Sequence, residues 1–106
     1  MSLVNATLTN ASAVIFTAAS ASSKLSSALN SIWIKNHDTV ARNVTVHACP
    51  AGEAVADENM LMEVAIPAED TLPIGVEKII LANTDTIAAF ADVTSVCTVT
   101  ISYLDI

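Results

Sequence analysis

The chain has 106 residues, 53% of them hydrophobic and 14% charged, and its net charge is −7. This length suits one domain with a modest core. The acidic balance argues against nucleic acid or an anionic membrane as a partner, because both attract clustered Lys and Arg. The chain contains no run of about 18 apolar residues, so no transmembrane span is predicted. The charged fraction lies well below the roughly 25% of ordinary soluble domains, which suits a surface that contacts other protein.

The N-terminal part begins a series of short runs in which apolar and polar residues alternate, the period of a β-strand. Residues 3–10 and 13–18 are predicted to form a first strand or a short hairpin, and the Ser-rich segment 20–27 is predicted to be a loop. Residues 1–27 are interpreted as a candidate N-terminal arm plus first strand of a single β-sandwich domain over 1–106. Such an arm would become ordered on contact with neighbouring subunits.

The middle of the chain continues the alternation. The runs 29–35 and 42–49 flank the turn signal at 36–38 and predict a hairpin with a loop of about five residues. The acidic, Ala-rich connection 53–59 has room for one helical turn, and 60–66 predicts the next strand.

The C-terminal part adds further strands. Pro67 predicts the end of a strand, and the runs 76–82, 86–91 and 97–103 predict three more, with a turn at 92–95. Strands of this length, with turn signals every 8 to 12 residues or so and no βαβ spacing, predict an all-β fold. The expected architecture is an antiparallel β-sandwich of jelly-roll type with about seven or eight strands.

Two side chains of the run 42–49 could carry chemistry. His47 and Cys49 share one face of a strand, and such a pair can begin a metal site or a nucleophile–base dyad. No C-x-x-C or H-x-x-x-H pattern supplies further ligands. If the alternate residues face the core, His47 and Cys49 point outward or toward a partner. Cys49 and Cys97 both fall inside strand patterns and are predicted to be buried free thiols.

The acidic residues are numerous enough for the paired carboxylates of a glycoside hydrolase. Most of them lie in turn-like segments, where such residues are usual for solvation and turn chemistry. The exception is Glu63, within the run 60–66. The sequence therefore predicts no enzyme, no cofactor and no metal.

Trp33 is the single tryptophan of the chain. It lies between Ile32 and Ile34 and shares a face with Ser31 and Lys35, so its indole is expected to lie half-exposed, opposite the core-facing isoleucines. Tryptophan is enriched at the centres of protein interfaces and also stacks on sugars. Contact with a protein, burial between two layers and binding of a carbohydrate remain open for this residue.

The order of the segments resembles the small all-β virion proteins encoded among the structural genes of tailed bacteriophages. The segments that carry this resemblance are Thr7-Leu8-Thr9-Asn10, Ile15-Phe16-Thr17-Ala18-Ala19-Ser20, Ile32-Trp33-Ile34-Lys35-Asn36, Asn43-Val44-Thr45-Val46-His47, Pro50-Ala51-Gly52, Ile66-Pro67-Ala68-Glu69-Asp70 and Val99-Thr100-Ile101-Ser102-Tyr103. The resemblance implies a jelly roll or sandwich that decorates a capsid shell, forms the base of a head fibre or sits in a tail, usually as a dimer or trimer.

The resulting expectation is a non-enzymatic capsid decoration or cement protein. It would be made in the host cytoplasm and lie on the capsid exterior of the virion, as a homo-oligomer bound to the major capsid protein and/or other virion proteins. The candidate interface residues are Trp33, Ile15, Phe16 and His47. The alternatives are a tail or head-to-tail connector component, and a small carbohydrate-binding β-sandwich module.

Overall fold

A computed structural model describes residues 2–18 and 26–106 of the chain, with the backbone alone of residues 75–78. The described part contains eight strands and one 3-10 turn. The strands are β1 Ser2–Thr7, β2 Ala13–Thr17, β3 Ser26–Asn36, β4 Arg42–Cys49, β5 Met60–Ile66, β6 Thr71–Ala82, β7 Thr86–Ala91 and β8 Cys97–Asp105, and the turn is Asp57–Asn59.

The strands form two four-stranded sheets. Their orders are β1-β8-β3-β6 in the first sheet and β2-β7-β4-β5 in the second. Every pairing is antiparallel. Two facing sheets with this interleaved order are a jelly-roll sandwich, so the predicted fold class is confirmed.

The core lies between the two sheets and is built by alternation along the strands. On β3, Leu29, Ile32 and Ile34 are all almost fully buried. Leu29 and Ile32 are three residues apart, and both reach the core because a β-bulge between Leu29 and Ser31 shifts the register by one residue. The rings of Phe16 and Tyr103, one from each sheet, meet edge to face with centroids 4.8 Å apart.

The hairpin predicted over residues 29–49 is wrong, and so is the hairpin alternative for residues 3–18. β1 and β2 belong to opposite sheets, and so do β3 and β4. Among consecutive strands, β4 and β5 alone are neighbours in one sheet. Alternation shows which side of a strand is buried, but it does not show which strand lies beside it.

Of the predicted N-terminal arm and first strand, the structure describes residues 2–18 and the last two residues. β1 and β2 each form an edge of one sheet, and Leu8 and Ala18 are buried. Residues 2–18 are therefore part of the sandwich rather than an appendage. Of the predicted loop 20–27, residues 20–25 lie outside the described residues, while Ser26 and Ser27 begin β3.

The sixth strand is longer than the predicted run 76–82, since it begins at Thr71 and passes through Pro73. Proline lacks the N–H that a sheet ladder needs, so within a sheet it is confined mainly to edges. β6 is an edge strand, which explains how it accommodates Pro73. The strand end at Ile66 and the strand Thr86–Ala91 agree with the prediction.

Cys49 and Cys97 are both buried and neither forms a disulfide, as predicted. Burial, and secondarily the negative charge of Asp92, raises the pKa of the Cys97 thiol. Thiols react as thiolates, so we expect the native protein to show no rapidly reacting thiol toward a disulfide reagent at about pH 8. Two thiols should react after denaturation without reductant. A denatured protein without free thiols would contradict this prediction.

Candidate functional site

The outer side of the first sheet is the most distinctive surface of the molecule. Strand pairing places three rows of residues across its four strands. The rows, each from β6 through β3 and β8 to β1, are Thr71-Lys35-Thr98-Thr7, Pro73-Trp33-Thr100-Asn5 and Gly75-Ser31-Ser102-Leu3. We call these twelve positions the Trp33 face.

Trp33 lies in the middle row, and its side chain is 54% exposed. Its neighbours in the chain, Ile32 and Ile34, are fully buried, so the expected half-exposed indole opposite the core is observed. Leu3, at the edge of the same face, is 67% exposed. A shallow groove of about 350 Å³ lies beside both side chains, and it is lined by Leu3, Asn30, Ser31, Trp33, Thr100 and Ser102.

The Trp33 face is rich in hydroxyl groups and nearly free of charge. Lys35 is the one charged residue among its twelve positions, and its ammonium group donates a hydrogen bond to the carbonyl oxygen of Glu69. The hydroxyl of Thr100 donates to Oδ1 of Asn5 at 2.8 Å across β8 and β1. Such a surface has little charge to desolvate when another molecule covers it.

The outer side of the second sheet differs, because the chain covers part of it. Thr45, His47 and Cys49 alternate with the core residues of β4, yet they are only 4%, 3% and 2% exposed. The ring of Phe90 stacks on His47 with centroids 6.4 Å apart. The 3-10 turn in the connection between β4 and β5 also contacts β4.

His47 was predicted to be an interface residue, and in the folded chain its side chain is almost fully buried. The side chain lies on the face opposite the core, as that of Cys49 does, and the ring of Phe90 stacks against it. Its Nδ1 atom is buried without a hydrogen-bond partner in the described structure. Among the described residues, no group of three or more His, Cys, Asp and Glu side chains is arranged to hold a metal ion.

Phe16 was also predicted to lie in the interface, and its side chain is buried as well. Its side chain is 5% exposed and belongs to the core, because the bulge between Val14 and Phe16 turns the ring inward against Tyr103. Ile15 is half-buried and packs against the core. Trp33 is therefore the one candidate interface residue of the four with a largely exposed side chain.

Asn36, predicted from the sequence only as part of a turn signal, is a structural site. Its side chain is fully buried. Its amide nitrogen donates to the carbonyl oxygens of Val40, Ile66 and Pro67 at 2.9, 3.0 and 3.2 Å, and its Oδ1 accepts from the N–H of Asp38 at 2.9 Å. The end of β3 is thereby joined to the end of β5, which belongs to the other sheet.

An ion pair stabilises the same corner of the molecule. Nη2 of Arg42 lies 2.7 Å from Oδ2 of Asp38, and its Nε donates to the same oxygen at 2.8 Å. The hydrogen bond from Arg42, with that from the N–H of Thr39, holds the pKa of the Asp38 carboxyl below its usual value. The pair positions the loop that begins at Asn36.

Comparisons with known proteins identify no family. No family model matches the chain, and no curated protein matches it. A solved structure that resembles it comes from the work "Bacillus endospore appendages form a novel family of disulfide-linked pili". It is 14% identical, with a TM-score of 0.42, over 95% of this chain and 83% of that chain. A likeness this weak says nothing about function. Across the described residues, no helix is both long and apolar enough to cross a membrane.

Proposed function

We propose that this chain is a non-enzymatic structural protein of a tailed-phage virion, a capsid decoration or cement protein that binds the shell through the Trp33 face. We choose the Trp33 face because it is an open, nearly uncharged sheet face with a half-exposed tryptophan in its middle row. The resemblance of the chain to small virion proteins supports the choice of partner.

The Trp33 face has the chemistry of the centre of an interface. Such centres are depleted in charged residues and enriched in aromatic ones, and a few buried anchors contribute most of the binding energy. Trp33 and Leu3 are the exposed apolar anchors here. The outer side of the second sheet is less suitable, because part of it is already covered and the covering connection contains Glu53, Asp57 and Glu58.

The proposed partner is the major capsid protein, alone or with other virion proteins. An interface of standard size needs about 800 Å² from each partner, which one face of a small sandwich can supply. Copies repeated around a shell would strengthen binding further if neighbouring copies also contact one another. The mechanism is burial of surface across subunit boundaries, without a chemical step.

Co-sedimentation with expanded capsids tests this proposal. We expect saturable binding at many copies per shell, and we expect Trp33→Ala to weaken it by about tenfold or more, since tryptophan is a frequent interface anchor. The matched control is Val14→Ala, which removes an exposed apolar side chain from the second sheet. Equal binding by the two variants would contradict the assignment of the face.

The behaviour of the wild-type protein, its binding to capsids and its oligomeric state, also tests the proposed decoration role. Absence of binding to the shell, together with a stable ring in solution, would overturn decoration in favour of a tail or head-to-tail connector component. The Trp33→Ala variant should fold normally in either case, because its indole makes no buried contact that the core requires.

A carbohydrate-binding module is the second candidate, and the groove beside Trp33 favours it. An exposed indole next to the hydroxyls of Ser31, Thr100 and Ser102 offers a stacking surface with hydrogen-bonding groups. In this alternative, Trp33→Ala abolishes binding to a glycan array while the oligomeric state is unchanged. An array without any bound glycan would exclude the sugars tested.

A further inference from the structure

The two sheets have four edge strands, and three of them carry features that discourage pairing with another chain. Natural proteins protect such edges with proline, charged residues or bulges. β6 contains Pro73, β2 has a bulge between Val14 and Phe16, and β5 has a bulge and Glu63. β1 carries none of these features.

β1 is a regular strand with a neutral sequence. Its pairing with β8 runs from Ser2 to Thr7 without a register shift. No charged side chain occurs in residues 1–23, although the whole chain has a net charge of −7. Leu3 is 67% exposed on this strand. β1 therefore presents the open hydrogen-bonding groups and low charge that favour addition of another strand.

The hydrogen bonds to β8 show which backbone groups of β1 remain open. The N–H of Leu8 donates to the carbonyl oxygen of Cys97 at 2.8 Å, at the end of the β1–β8 register. Antiparallel pairs alternate along a strand between bonded and non-bonded positions. Even-numbered positions of β1 therefore bond to β8. The N–H and C=O groups of Leu3, Asn5 and Thr7 point toward the other side of the strand, where no strand of the described residues pairs with β1.

We propose that β1 is a homodimerisation strand, which pairs in antiparallel fashion with β1 of a second copy. The two-fold axis passes through the pair of Asn5 residues, and Leu3 lies opposite Thr7 of the second copy on both sides of the axis. The three outward-facing residues of each copy then form about six backbone hydrogen bonds. The two first sheets become one eight-stranded sheet, with both Trp33 faces on the same side.

Charge and symmetry select a second copy as the occupant. Two chains of net charge −7 repel one another, and the uncharged N-terminal segment offers an approach without like charges. A two-fold pairing uses both β1 edges, so the contact closes at a dimer instead of extending into a filament. The inference deepens the proposed function and rests on it for the role of the dimer, which would present two Trp33 faces to one shell.

Light scattering and hydrogen exchange on the free protein test the pairing without any capsid. We expect a dimer whose Leu3, Asn5 and Thr7 amides are protected from exchange as strongly as those of Val4 and Ala6. In a monomer the three odd-numbered amides face solvent and exchange rapidly while the two even-numbered amides remain protected. A monomer with this alternating pattern at high concentration would overturn the inference, but it would leave capsid binding unaffected.

Two double variants test the register. In Leu3→Glu with Thr7→Glu, like charges face each other twice across the axis, and we expect the dissociation constant of the dimer to rise at least about tenfold. In Leu3→Lys with Thr7→Glu, opposite charges face each other at the same positions, and dimerisation should be retained. Both positions are exposed, so neither variant should unfold the chain.

The matched control is Val14→Glu, which places a charge on the exposed edge strand of the other sheet. It should leave the dimer unchanged. A dimer that responds equally to both double variants, or that dissociates only with Val14→Glu, would show that copies pair elsewhere and would refute the role of β1.

Discussion

Asn36→Leu is expected to lower the free energy of unfolding by about 3 kcal/mol, because the change removes every hydrogen bond of a fully buried amide side chain. Leucine has a similar shape but leaves the carbonyl oxygens of Val40, Ile66 and Pro67 without their donor. A buried polar group that loses its partner costs more than the net value of the bond itself. The loss should also loosen the corner where β3 approaches β5.

Denaturant unfolding measures this effect. The matched control is Asn43→Leu, which makes the same chemical change at an exposed position of β4 and should alter stability by about 0.5 kcal/mol or less. Asn36→Asp retains the shape and the acceptor for the N–H of Asp38, but it removes the donor that the three carbonyl oxygens share. It should therefore destabilise the fold as well. A loss below about 1 kcal/mol for Asn36→Leu would contradict the structural role assigned to this side chain.

In contrast to Asn36→Leu, His47→Phe is expected to raise the free energy of unfolding, by about 2 kcal/mol. The Nδ1 atom of His47 is buried without a hydrogen-bond partner in the described structure, so the native state bears the cost of its desolvation. Phenylalanine removes the polar atom and retains a flat ring against Phe90. The phenyl ring is slightly larger than the imidazole ring, but Phe90 is only partly buried and can shift to accommodate it.

A thermal shift is a convenient measure of this gain. For a domain of about 100 residues, 2 kcal/mol corresponds to a rise in Tm of roughly 8 °C or more. The control is His37→Phe, because His37 is exposed and its Nε2 lies 3.0 Å from the hydroxyl of Thr98. This control should show no gain. If His47→Phe left the Tm unchanged or lowered it, Nδ1 would have a partner in solution, such as a buried water molecule.

The two buried polar side chains show why residue type alone does not predict stability. Asn36 has partners for both its donor and its acceptor groups, whereas His47 has a buried nitrogen without one. Both occur near the end of a predicted strand, and alternation provides no means to distinguish them. The difference depends on carbonyl groups near Ile66, about 30 residues away in sequence from Asn36.

The candidate site was predictable in part. The exposure of Trp33 follows from its position between two core isoleucines, because neighbouring residues on a strand face opposite ways. The same rule places His47 and Cys49 on the side opposite the core, which is where they lie. It does not predict that these two side chains are buried, since burial there depends on other parts of the chain, such as Phe90 stacked on His47. Phe16 shows a third limit, because a bulge changes which residues of β2 face inward.

Alternation of apolar and polar residues was sufficient to predict the fold class, most strand positions, the buried free thiols and the outward orientation of Trp33, because a period of two is a local property of each strand. The tertiary structure decided which strands are neighbours. Six of the seven connections cross between the sheets, so the partners of a strand lie far away along the chain. It also decided that residues 2–18 are structural, that Asn36 joins two sheets and that β1 is the unprotected edge, because each of these depends on contacts between distant segments.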